Sequence, residues 1–175
     1  AMLPHTITDF TVRRALLSDA YLWFHWANDP LIRSSSFSSK TIKFQDHINW
    51  FTSKLKDTNS YFYIAIANDG LPLGYVRFDF ADKIDSCCSF YVSIALDASV
   101  RGCGIAQSVL KSAIDAFNKN ISVTTYLYAE IKSDNIASQN LFAKSLFSSV
   151  KPMRPNSVCY KKTLSVIKSG KILDD

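Results

Sequence analysis

Glycine and proline are scarce in this chain, five of each among 175 residues, and they do not cluster. With no Pro- or Gly-rich stretch there is no linker to place, and this length suits one compact domain, expected over residues 2–165. Cysteine is scarce too. Cys87, Cys88, Cys103 and Cys159 form neither a CxxC pair nor a Cys/His cluster with zinc spacing. Reduced thiols and no metal site are therefore expected. No apolar run is long enough to span a bilayer, and no basic–apolar–small-residue leader opens the chain, so a cytoplasmic protein without membrane contact is expected. Basic residues outnumber acidic ones by 20 to 15, yet no five are consecutive. Lys151, Arg154, Lys161, Lys162, Lys168 and Lys171 crowd the C-terminal quarter. That distribution reads as a solvated surface with a basic tail over 166–175, not as a nucleic-acid module. The same excess suits an enzyme whose ligand carries several phosphates.

Aromatic side chains are plentiful: twelve Phe, eight Tyr and three Trp, enough to fill a single core. Residues 7–13 alternate and are rich in β-formers, which predicts a first strand. Ser18 or Asp19 caps a helix through Trp26, ended by Asn28-Asp29-Pro30, and serine-rich residues 34–39 read as a loop. Phe44, Ile48, Phe51 and Leu55 give a second amphipathic helix. Strands are predicted at Tyr61–Ala67 and Leu73–Phe80, joined by an Asn68-Asp69-Gly70 turn, and at Cys88–Leu96. A helix follows from Gly104, then a strand at Val123–Ile131, a helix at Asn135–Leu146 and a strand at Val158–Leu164. The plan is β-α-α-β-β-β-α-β-α-β, one mixed α/β domain.

Between the third of those paired strands and the helix that follows it lies Arg101-Gly102-Cys103-Gly104-Ile105-Ala106. Glycines there let the chain turn tightly and let a ligand approach the main chain. The first amides of the helix point at the loop, with the positive end of the helix dipole behind them. Such a site holds phosphate without many basic side chains. It is not a Walker loop, because no Gly-Lys-Ser/Thr follows, and it lacks the three-glycine dinucleotide pattern.

The segment fits Arg/Gln-x-x-Gly-x-Gly/Ala. About thirty residues later, Asn135, Ser138, Leu141, Lys144 and Phe147 fit Asn-x-x-Ser/Ala-x-x-Leu-Tyr-x-Lys-x-Gly-Phe. Carrying both motifs in this order of strands and helices, the chain resembles the GNAT N-acetyltransferases over roughly residues 8–164. The resemblance implies a GNAT fold and acetyl-coenzyme A as cofactor. It implies that Arg101, Gly102, Cys103, Gly104, Ile105, Ala106 and Gln107 hold the pyrophosphate. Main-chain groups of Ile94, Ala95 and Leu96 would meet the pantetheine arm and the thioester oxygen, and Asn135, Ser138 and Phe142 would complete the cofactor site. Phe142 stands where many members carry a tyrosine proposed as general acid, so that acid is excluded here. Ser138, Tyr160 or water remain as proton sources. Leu146 replaces the usual glycine and changes how its helix ends.

Direct transfer needs a neutral amine and no cysteine nucleophile. Glu130, in the apolar strand before Asn135, stands where several family members have a catalytic glutamate. Burial on that strand would raise its pKa; a solvent-facing glutamate at a strand end is the alternative. Asp79 is a second candidate, with pairing to Arg77 as its structural alternative, and His25 and His47 read as packing residues among aromatics. Trp26-x-Asn28-Asp29-x-x-x-Arg33, followed by His47-x-x-Trp50-Phe51, resembles acetyltransferases of nucleotide-amino-sugar pathways, those of pseudaminic acid biosynthesis among them. That implies an amino-sugar nucleotide as acceptor, met by Trp26, Asn28, Arg33 and Asp79, with Arg33 able to pair with a diphosphate. Acetylation of protein N-termini, or a non-catalytic acyl-CoA-binding regulatory module, stays open. A homodimer is compatible with the resemblance, and the sequence does not fix the oligomeric state.

Overall fold

A computed structural model describes residues 9–166. Residues 7 and 8 of the predicted first strand, His5 and nearly all of the expected 166–175 tail lie outside the described residues. The strands are β1 (Phe10–Arg14), β2 (Ser60–Ala67), β3 (Pro72–Ile84), β4 (Cys87–Leu96), β5 (Thr125–Lys132), β6 (Ser148–Val150) and β7 (Ser157–Leu164). The helices are α1 (Ala20–Ala27), α2 (Pro30–Ser35), α3 (Phe44–Lys56), α4 (Ala106–Asn118) and α5 (Ile136–Lys144). All seven strands join one sheet in the order β1-β2-β3-β4-β5-β7-β6. This is the mixed α/β domain expected from sequence.

Side-chain alternation explains why the middle of the sheet reads as continuous apolar runs: both faces are covered. Phe62 and Ile64 of β2, Tyr75 of β3 and Ala95 of β4 face one core, closed by Trp23 of α1 and Phe51 of α3. Trp23 stacks between Phe62 (5.1 Å) and Tyr75 (4.2 Å). Their neighbours Tyr63, Val76, Phe78, Phe90 and Val92 face the opposite core with Val109, Ala113 and Phe117 of α4 and Phe142 of α5. Leu127, Ala129 and Ile131 of β5 join that second core, which turns Glu130 to the α1–α3 side of the sheet.

Only β4 and β5 run parallel, and they pair for four residues, from Cys88–Thr125 to Tyr91–Tyr128. Beyond Tyr91 the strands part. Val92–Leu96 remains bonded to β3, and Ala129–Lys132 to β7, so the two facing edges are left without strand partners. Gly74 on β3 fixes the root of this split. At φ +155°, a Cβ there would stand 2.2 Å from the Ala95 carbonyl oxygen, so only glycine lets β3 lie this close to β4.

The structure departs from expectation in three elements. Pro30 does end α1, but it also opens α2 as its first residue, where a missing N–H costs nothing. The Asp29 carboxylate caps α2, accepting from the amides of Leu31 (3.0 Å) and Ile32 (3.4 Å), so residues 34 and 35 are helical and not loop. Second, β3 runs on to Ile84 and turns through Asp85 and Ser86, both at positive φ, as an exposed hairpin whose polar residues hid it. Third, β6 adds three residues at the sheet's edge, after Leu146 reverses the chain at φ +66°.

Candidate active site

The β4–β5 split opens into a cleft of about 740 Å3 that continues beneath α2 and α3. Four elements from the C-terminal half line it: β4 with Ile94, Ala95 and Leu96, the following loop with Arg101, β5 with Glu130, and α5 with Asn135, Ser138 and Phe142. The N-terminal half adds Arg33 of α2, His47 and Trp50 of α3, and Tyr75 and Arg77 of β3. Nine of the eighteen residues expected from sequence thus line one cavity, Arg33 and the eight from the C-terminal half; Gly102 to Gln107, Trp26, Asn28 and Asp79 do not. His47, Trp50, Tyr75 and Arg77 were missed as lining residues. Only the helical spacing of His47 and Trp50 ahead of Phe51 hinted at a shared face, and Arg77 looked like a partner for Asp79.

Gly102 and Gly104 sit at φ +75° and +76°, and a Cβ on either would meet only open space. Glycine is therefore required by the backbone at these two points, and it leaves the approach to the loop clear. No side chain caps α4 at Ile105, so its first-turn amides stay available. Ile105 anchors the loop in the core and Cys103 packs against it. Ala106 begins α4, and Gln107 turns its side-chain amide to the Lys144 carbonyl (3.2 Å), tying α4 to α5 instead of lining the cleft. Asn135 caps α5 by accepting from the Ser138 amide (3.2 Å). Phe142 is buried edge-to-face on Phe147, a packing position with no hydroxyl to offer.

Three expected acceptor contacts are placed elsewhere. Trp26 is only 1% exposed and donates its indole N–H to Asp97 Oδ1 (2.8 Å). Asn28 clamps the loop before α3, donating to the Ile42 carbonyl (2.9 Å) and accepting from the Ile42 amide (2.8 Å). Asp79 holds Arg77 Nε (2.7 Å) and Lys54 Nζ (3.1 Å), so its role is to position Arg77, whose guanidinium lies over Trp50. Arg101 differs as well: it reaches across to Asp29 at the α2 cap (3.0 Å), not only towards its own loop. Together Trp26–Asp97 and Asp29–Arg101 strap α1 and α2 to the loop after β4.

Glu130 overturns one expectation about charge. Burial pushes its pKa up, but the Ser157 hydroxyl (2.6 Å), the Cys159 thiol and the amides of Met153 (3.0 Å) and Arg154 outweigh it. The carboxyl is held below its ordinary value and is ionised at neutral pH. Cys159, buried beside it, is pushed up to about 12 and is inert.

Buried polar atoms almost always find partners, so the exceptions are informative. Among the described residues five side-chain atoms are buried without a directed hydrogen bond: Arg33 Nε, His47 Nδ1, Asp79 Oδ1, Arg101 Nη2 and Glu130 Oε2. Four of them belong to residues lining this one cleft, and Asp79 contacts a fifth lining residue, Arg77. Arg101 Nη2 and Asp79 Oδ1 are ion-paired, with Asp29 and Lys54, so Arg33 Nε, His47 Nδ1 and Glu130 Oε2 are the three without a polar partner. No cluster of metal-ligating residues occurs among the described residues, and no helix there is long and apolar enough to cross a membrane.

A sheet that opens between two parallel strands, with a glycine loop and an uncapped helix at its mouth, has the architecture of a group transferase fed by a phosphate-bearing cofactor. More narrowly, the chain belongs to the acetyltransferase (GNAT) family, whose model matches residues 20–146. It is similar to the spermidine N-acetyltransferase from Vibrio cholerae solved with CoA and spermine, at 14% identity over 90% of this chain and 95% of that one, TM-score 0.75. It is similar to AAC(6')-Ib solved with paromomycin and acetyl-CoA, at 19% identity over 89% and 93%, TM-score 0.72. A third likeness is the ribosomal-protein-alanine N-acetyltransferase from Brucella melitensis, at 17% identity over 87% and 99%, TM-score 0.71. At such identities the likeness is one of fold. No curated protein matches the chain in sequence. The family's donor is acetyl-coenzyme A, and the residues here fit it. Open space in front of Gly102 and Gly104, free α4 amides and the unpaired β4 edge suit a pyrophosphate and an amide-bearing arm.

Proposed function

We propose that this acetyltransferase transfers its acetyl group by direct attack of a small-molecule amine, and that the amine belongs to a nucleotide-linked amino sugar. The cleft's unpartnered atoms carry the reading: Arg33 Nε on α2, a donor that seeks an anion, and Glu130 Oε2 on β5, an acceptor that seeks an amine. Acetyl-CoA supplies the activated acetyl thioester. The loop from Arg101 to Gln107 holds the pyrophosphate, and Ile94 and Leu96, on either side of Ala95, whose main chain is bonded to β3, offer main-chain amides along the free β4 edge, where an oxygen gaining charge is stabilised. Asn135 and Ser138 fix the start of α5 against that arm.

Glu130 Oε2 accepts a hydrogen bond from the acceptor amine while Oε1 is held by Ser157 and Met153. Because its pKa is depressed, Glu130 orients the amine and steadies its positive charge; the proton passes on to water. Since Phe142 has no hydroxyl, Ser138, in the lining of the cleft, supplies one that can pass a proton to the departing thiolate. On the acceptor side Arg33 pairs with a phosphate, and Trp50, fixed under Arg77, offers an aromatic face. Two guanidinium groups in this half of the cleft disfavour a polycationic amine.

Free thiol release from acetyl-CoA with a panel of amines tests this. A UDP-4-amino sugar should be turned over, and Glu130→Gln should lower kcat at least tenfold with acetyl-CoA affinity unchanged. Release only with N-terminal peptides would make the protein N-terminus the acceptor. Binding of acetyl-CoA without turnover of any amine would make the chain a regulatory module.

A further inference from the structure

His47 is a buried titratable side chain in the cleft wall, 1% exposed, and the reaction above makes no use of it. It lies on α3 between Phe24 and Phe51, with Trp50 a turn further along, and its only polar contact is Nε2 to the Ala20 carbonyl at 2.9 Å. A carbonyl oxygen accepts and cannot donate, so Nε2 must carry the proton. Nδ1 is then a lone pair, buried and without a partner. Burial lowers the ring's pKa more than the Ala20 contact raises it, so the imidazole is neutral at pH 7 and the lone pair is permanent. An acceptor atom left dry in a protein interior is costly, and its presence in the wall of a ligand cleft needs a donor to explain it.

The geometry points to His47 as a specificity-determining residue: its Nδ1 accepts an N–H or O–H from the acceptor substrate. The assignment rests on the proposed reading of this cleft as the acceptor site. Arg33 Nε, an unpartnered donor in the same half of the cleft, supplies the complementary demand. The acceptor therefore presents both an anionic or carbonyl oxygen to Arg33 and a hydrogen-bond donor to His47. A substrate whose remote end is wholly apolar, or offers only acceptor atoms, leaves Nδ1 unpaired and is rejected. The backbone contact to Ala20 is what makes the choice strict, because it locks the tautomer and the ring cannot turn its N–H to the substrate.

Two amide variants separate this role from packing. Glutamine at 47 places its NH2 where Nε2 stood, keeping the Ala20 bond and removing the Nδ1 acceptor. Asparagine places its carbonyl oxygen where Nδ1 stood and loses the Ala20 bond. With a UDP-4-amino sugar as probe, His47→Gln should raise acceptor KM about tenfold with acetyl-CoA Kd and thermal midpoint little changed. His47→Asn should lower the thermal midpoint yet hold acceptor KM within about threefold. Equal acceptor KM in wild type and His47→Gln overturns the proposal, as does a loss of acceptor affinity in both variants that follows their loss of stability. Should the UDP sugar fail and another amine of the panel be turned over, the nucleotide-sugar reading falls alone and the same contrast is read on that amine. A direct check needs no acceptor: 15N spectra of the free protein must show His47 protonated at Nε2 and bare at Nδ1. A proton on Nδ1 ends the proposal.

Discussion

The two sides of the β4–β5 split are made of different materials. Towards α4 and α5 the main chain builds the site, through two left-handed glycines, a row of free helix amides and an unpaired strand edge. Towards α1, α2 and α3 side chains build it, through Arg33, His47, Trp50 and Arg77. A site made of backbone can serve one cofactor across many sequences, because few side chains need to be kept. A site made of side chains can be retuned residue by residue, which fits the different amines bound by proteins of this same fold.

The difference can be broken at its root. Gly74→Ala should be the most damaging single change, because the new methyl meets the Ala95 backbone and no side chain can yield. Stability should fall by about 3 kcal/mol or more in denaturant titration, with cofactor and acceptor binding lost together.

A second test sets the two sides against each other. Gly104→Ala should weaken acetyl-CoA binding at least tenfold and leave acceptor KM nearly unchanged in calorimetry and steady-state kinetics. Arg33→Gln should do the reverse, since removing a buried charged donor costs about 1.5–3 kcal/mol. Matching losses at both substrates in either variant would mean that the strap from Asp29 to Arg101 makes the two sides one unit.

These motifs also show what a sequence can disclose. The glycine loop and the helix expected at Asn135–Leu146 were legible because backbone requirements leave spaced signatures. Trp26 and Asn28 are expected at the acceptor from a pattern of residues, yet their side chains are spent on Asp97 and Ile42, while Asp79 makes the Arg77 pair that was its structural alternative. A pattern tells which residues recur together, not whether they touch a ligand or each other. His47 was hidden for the opposite reason: a histidine among aromatics looks like packing until its second nitrogen is found without a partner. The helix α2 was missed because Pro30 serves as a stop and a start at once.

Electrostatics sharpens the comparison at a smaller scale. Glu130 and Asp29 both have lowered folded pKa values. In each, burial works the other way; hydrogen bonds outweigh it, from Ser157 for Glu130 and from Arg101 and the α2 amides for Asp29. A lowered folded pKa adds stability that is full above the unfolded carboxylate value and is lost as pH falls through the folded one. Melting should therefore be insensitive to these groups near neutrality and should fall below about pH 4. The rate should show no acid limb from Glu130 between pH 6 and 8; an inflection there that disappears in Glu130→Gln would restore it as a titrating base.

The mildest change lies outside both sides. Leu146, 80% exposed, ends α5 at φ +66°, a conformation that costs a branched side chain about 1 kcal/mol. Leu146→Gly should raise the thermal midpoint by a few degrees and leave both substrate affinities alone.

The split also has a meaning for the protein's life outside the reaction. Two bare strand edges, held apart in the middle of a sheet, offer hydrogen bonds to any extended chain that can enter. On the proposed reading a pantetheine arm lying there would play the part of a missing strand, leaving the occupied protein less to offer a stray peptide. Solubility and resistance to aggregation should then follow the acetyl-CoA level around the protein, making metabolite supply a quiet guardian of its shelf life.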